Sequence, residues 1–133
     1  MREIFKDELL NRKFESTISN YEAIRKVLSN KVDMDNPAAV LRQMESIQSV
    51  QALAAHTKAS LTYLCNKYAL QKLPLLDQES GKNANEKKYI LNAEMGDVLF
   101  YDEVMELLIK EMHYQVEILR SILSYLKTEM EKL

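Results

Sequence analysis

This 133-residue sequence predicts an all-α fold, an elongated bundle of amphipathic helices, from three observations. From Asp97 onward an apolar residue returns every seventh position, at Val98, Met105, Met112, Leu119, Leu126 and Leu133. Two further helical periodicities fill the first half of the chain. Two glycines and two prolines are too few for a turn-rich β fold.

The first helix is expected over about residues 3–30. Leu10, Phe14, Thr17, Tyr21, Ile24 and Leu28 follow steps of four, three, four, three and four, and Ile18 and Val27 widen the face. It should stop before Val32-Asp33-Met34-Asp35-Asn36-Pro37, which brings cap-forming residues and a proline that disfavours helix in the residue before it. Asn36 then caps a second helix, and Pro37 takes the first helical position, where a missing amide hydrogen leaves nothing unpaired. In that helix Val40, Ile47, Ala54, Leu61 and Tyr68 repeat at seven, which predicts helix over 37–72, roughly 50 Å long. Ala52, Ala54, Ala55 and Ala59 leave room for a neighbouring backbone.

Pro74 and the polar run Asp77-Gln78-Glu79-Ser80-Gly81-Lys82-Asn83 predict an exposed loop over 74–84. Residues 85–95 form a short segment read as helix, although Tyr89-Ile90-Leu91 also suits an extended chain. Gly96 offers a left-handed helix end and Asp97 a new N-cap for the last helix, 98–132. Asp102 and Glu103 near its start, and Lys127 and Lys132 near its end, complement the helix dipole. Val104, Ile118 and Tyr125 on one side of the seven-residue stripe, and Ile109, Val116, Leu123 and Met130 on the other, make the apolar arc broader than a two-stranded coiled coil needs. The last helix is therefore expected to be the assembly element of a homo-oligomer, with a closed monomeric bundle as the alternative.

The net charge of −2 hides a pattern. Residues 1–56 carry eight basic and eight acidic side chains, 57–96 six and four, and 97–133 four and eight. Only the middle favours a polyanion. The lone cysteine, Cys65, cannot form an internal disulfide, and the opening residues alternate charge with apolar groups instead of building a signal core. A cytoplasmic location is expected, with no membrane partner, since no run nears the ~18 apolar residues of a membrane span.

Familiar catalytic constellations are missing, so no catalytic residue, cofactor or metal is assigned and the chain is read as non-enzymatic. Neither glycine sits in a phosphate-cradling loop. Glu111-x-His113 lacks the Glu-x-x-His spacing that puts two metal ligands on one helical face, and His56 has no carboxylate near it in sequence. Asp102 and Glu103 point to different sides of their helix and are not an acid/base pair. Met105 and Met112 occupy the core repeat.

Lys58, Lys67 and Lys72 lie in a stretch, 57–76, without an acidic residue, interleaved with Tyr63 and Tyr68; Lys82, Lys87 and Lys88 follow. Lysines beside aromatic rings suit single-stranded nucleic acid, with cations along the phosphates and rings for bases to stack on. The plainer reading is lysines at a helix C-terminus and tyrosines at the edge of the core.

Lys58-Ala59-Ser60-Leu61-Thr62-Tyr63 resembles the Lys-Ala-Arg-Leu-x-Tyr segment of the UvsY family, the recombination mediators of tailed phages. Similar words run in the same order along the chain: Met1-Arg2, Glu8-Leu9 and Phe14, Tyr21-Glu22-Ala23, and Lys88 through Leu91-Asn92-Ala93 to Asp97-Val98-Leu99 and Asp102. The resemblance implies a ring-like homo-oligomer in a bacterial host cell that binds single-stranded DNA and helps a recombinase replace the single-strand-binding protein. It places Lys58 on the DNA, so that Lys58→Ala should weaken binding, while Ser60 stands where the family has its second basic residue. Lys67, Lys72, Lys87 and Lys88, with Tyr63, are the remaining candidate DNA contacts by local charge. A helical structural or adaptor protein without nucleic-acid binding, such as a phage or mobile-element assembly factor, is the alternative. A metal-dependent bundle enzyme using His56 and His113 is a weaker one.

Overall fold

A computed structural model describes residues 5, 7–77, 81 and 83–132 and shows an all-α bundle with no strand among them. Helix α1 spans Glu8–Leu28, α2 Pro37–Ser49, α3 Gln51–Asp77, α4 Ala84–Glu94 and α5 Gly96–Glu131.

The expected boundaries shift where local chemistry or packing overrides periodicity. α1 starts at Glu8, where the Asp7 side chain accepts from the Leu9 amide and caps the helix; residues 3, 4 and 6 of the expected helix lie outside the described residues. The expected helix over 37–72 begins as predicted, with Asn36 accepting from the Ala38 and Ala39 amides, but breaks at Val50. There the Val50 amide turns to the Ile47 carbonyl at 3.1 Å, a tighter three-residue step. Ala54 bonds back to Val50 at 2.9 Å, so the backbone bonding resumes at once in α3.

α3 runs on through Asp77, past the loop start expected at Pro74, and residues 78–80 and 82 of the expected loop lie outside the described residues. Proline removes one backbone bond and crowds the preceding turn, yet α3 carries Pro74 inside it because Leu76 beyond it is buried, at 7% exposure. Gly96 does not take the left-handed conformation and Asp97 does not cap; only Gly81, at φ 88°, has positive φ among the described residues. Met95 instead bonds back to Leu91 and Leu99 back to Met95, both at 2.9 Å, so helical bonding passes through the α4–α5 junction. Residues 85–95, left open between helix and strand, lie almost wholly within α4, whose start is capped by Asn83.

Paired residues establish the topology. Lys58 meets Asp102, Lys72 meets Glu94 and Asp77 meets Lys87, so α2–α3 and α4–α5 run antiparallel as one long hairpin. α1 lies along its groove: Phe5 packs on Tyr68, Lys13 reaches Tyr63 and the Gln43 amide donates to the Val27 carbonyl at 2.8 Å. That last bond also satisfies a carbonyl at the end of α1. The core is a single cluster in which Ile24, Val40, Ile47, Leu61, Leu64, Val98 and Met105 are fully buried. Each such Leu, Ile or Met contributes about 1.5–3 kcal/mol by burial. Tyr101 lies between Phe14 and Tyr21 in edge-to-face contacts that seat α1 against α5.

The seven-residue stripe of α5 serves this core. Val98, Met105, Met112 and Leu119 are buried within the one chain and Leu126 is half-buried; Leu133 lies outside the described residues. No helix of the described residues is long and apolar enough to cross a membrane.

Candidate nucleic-acid interface

The lysines of the acid-free stretch divide between two faces of α3. On the face toward α4 and α5 they meet carboxylates. Lys58 Nζ lies 2.8 Å from Asp102 Oδ1 and donates to the Asp102 backbone carbonyl at 3.3 Å. Thr62 Oγ1 donates to the same carboxylate at 3.3 Å, and both charged side chains are about three-quarters buried. Lys72 Nζ is 3.5 Å from Glu94, which also receives the Tyr68 hydroxyl. Lys87, on α4, is 2.6 Å from Asp77 at the end of α3.

Three of the predicted DNA contacts, Lys58, Lys72 and Lys87, thus hold carboxylates supplied by other helices. Their charge is spent locally. Ser60, the position where the family resemblance has a basic residue, is buried at 6% exposure and faces helix packing instead of solvent.

On the face toward α1 the arrangement is different. Tyr63 is 43% exposed, with Lys13 Nζ 4.8 Å and Lys67 Nζ 5.8 Å from its ring centroid. Tyr63 and Lys67 stand one turn apart on α3, and Lys13 comes from α1. Among the described residues neither lysine forms an ion pair. Two uncompensated ammonium groups therefore flank one exposed ring. Lys13 was not a sequence candidate: it is 50 positions from Tyr63 and nothing local marks it. Lys88 is exposed on α4 and takes no part in this cluster, and Lys82 lies outside the described residues.

Cys65, on the carboxylate side of α3, is half-buried. Burial, and next the Asp102 charge, push its thiol from the usual 9.0 up to about 11, with Lys58 pulling the other way. Such a thiol is a poor nucleophile at neutral pH. His56 and His113 are exposed, and no three His, Cys, Asp or Glu side chains gather as a metal site among the described residues. No family model, curated protein or solved structure matches this chain.

Proposed function

We propose that this chain is a non-enzymatic, self-assembling helical protein that binds single-stranded DNA across α1 and α3. Its role would be that of a recombination mediator, helping a recombinase take the place of a single-strand-binding protein, as the resemblance to the UvsY family implies.

The observation that carries the DNA reading is the exposed Tyr63 ring with Lys13 and Lys67 beside it and no carboxylate on either. An exposed lysine–ring contact is worth only about 0.5–1 kcal/mol. The two ammonium groups can therefore leave the ring for phosphates, and the ring is freed to stack on a base. Stacking of that kind is tolerant of sequence, which suits a protein that must act along any single strand.

Fluorescence anisotropy with a labelled single-stranded oligonucleotide tests this. Binding should weaken steeply with salt, by about 0.7 in log–log slope per phosphate neutralised. A Lys13→Gln/Lys67→Gln variant should bind more weakly and with a flatter slope. No binding at low salt overturns the proposal. The pairing of Lys58, Lys72 and Lys87 with carboxylates favours, as the second reading, an adaptor without nucleic-acid binding, and that result would leave it standing.

A further inference from the structure

We infer that a bound single strand runs along the seam where α1 lies against α2 and α3, from Lys13 and Lys67 past Tyr63 and His56 to Arg42. This rests on the DNA reading above and adds to it a second cationic anchor, a second ring and a path about six nucleotides long.

Helical spacing carries the path beyond the Tyr63 cluster. His56 stands two turns before Tyr63, so it lies on the same side of α3, about 10 Å further along. It is exposed, as are Ala52 and Ala59 on that side. Across the seam, α1 turns Lys13, Ser16, Asn20 and Ala23 the same way. The seam continues onto α2, where the Gln43 amide donates to the Val27 carbonyl of α1 at 2.8 Å. Arg42, next to Gln43, is exposed on the outer side of that contact, roughly 37 Å from Lys67 at 1.5 Å per residue.

Charge singles this seam out. Between Lys67 and Arg42 no carboxylate lines it: α1 turns Glu15 and Glu22 to its opposite side, Glu45 points outward from α2, and α3 has no acidic residue before Asp77. Arg42, like Lys13 and Lys67, forms no ion pair among the described residues. Asp33 and Asp35, in the connection from α1 to α2, end the seam just beyond Arg42. The seam between α1 and α5 differs, because Glu22 and Glu111 line it along with Arg25. Only the first offers a polyanion an unopposed positive track.

The cations at the two ends hold phosphates, and the rings between them take bases. An imidazole and a phenol ring about 10 Å apart on one helix face suit two bases of an extended strand with one nucleotide between them. Ser16 and Asn20 can donate to phosphate or sugar oxygens along the way. None of these contacts distinguishes one base from another, so the track takes any sequence.

Fluorescence anisotropy of the full chain with a labelled eight-nucleotide deoxythymidine strand, over a range of salt, tests the path. Arg42→Gln should weaken binding about fivefold and lower the log–log salt slope by about 0.7, the share of one phosphate. Arg42→Lys should keep the slope. Ala52→Glu, which sets a carboxylate midway along the path, should weaken binding about tenfold. Arg25→Gln, an equally exposed arginine on the α5 side of α1, should change neither affinity nor slope. All three positions are exposed, so the helical circular dichroism should persist in every variant. The path is overturned if Arg42→Gln or Ala52→Glu binds as the unaltered chain does, or if Arg25→Gln weakens binding as much as Arg42→Gln. Either result, with Lys13→Gln/Lys67→Gln still weakened, leaves the DNA reading standing. A chain that binds no oligonucleotide at low salt defeats both.

Discussion

Two faces of α3 carry lysines of the same kind a few residues apart, and they differ in what stands across from them. Toward α4 and α5, Lys58 and Lys72 each find a carboxylate within 4 Å, and the ammonium groups help to join helices. Toward α1, Lys67 finds the Tyr63 ring and, on its other flank, a second lysine, Lys13. A stretch without acidic residues therefore gives a cationic surface on one side only. Charge along the chain and charge in space part company wherever helices from distant segments pack together.

The contrast can be broken first at its centre. Tyr63→Ala should lower single-strand affinity by roughly 1–3 kcal/mol, about 5- to 150-fold, while moving the melting temperature little, because the ring is 43% exposed. Equal losses of binding and stability would show instead that the ring matters for packing. Next come the lysines, in a crossed comparison. Lys58→Met should cost about 1 kcal/mol of stability, by leaving the largely buried Asp102 without its cation, and should leave oligonucleotide binding unchanged. Lys67→Met should do the reverse, with binding lost and the urea midpoint retained. If Lys58→Met lowers affinity as much as Lys67→Met, the division between the faces is wrong.

The smallest effect concerns Cys65, which lies beside the Lys58–Asp102 pair. Its folded pKa, about 11, lies above the unfolded value near 9.0, so its contribution is fully present below pH 9 and is lost as pH rises toward 11. Cys65→Ala should flatten the alkaline fall in the urea midpoint across that window. An unchanged slope would mean that the thiol is as readily ionised in the folded chain as in the unfolded one.

Much of the fold was legible because it rests on local rules. Asn36 and Pro37 mark the start of α2 by cap chemistry, and the spacing from Leu10 to Leu28 marks the buried face of α1. Where local signals failed, packing had outweighed them. Pro74 reads as a helix end, but burial of Leu76 keeps the turn, and Gly96 reads as a stop, but backbone bonding on both sides of Met95 carries the chain through. The candidate interface was half legible. Tyr63 and Lys67 stand one turn apart on one helix, whereas Lys13 enters only because α1 crosses beside α3.

The order of apolar and polar residues determined by itself that this chain is helical and that α5 has a buried stripe from Val98 to Leu119, since helical periodicity is written in the spacing. Only the tertiary structure decided what that stripe packs against. The antiparallel hairpin spends it on the chain's own core and leaves the line from Phe100 to Tyr125 facing outward. It also decided which lysines stand beside a carboxylate, because a carboxylate 44 residues away in sequence can lie 2.8 Å away in space, where Coulomb attraction is strong.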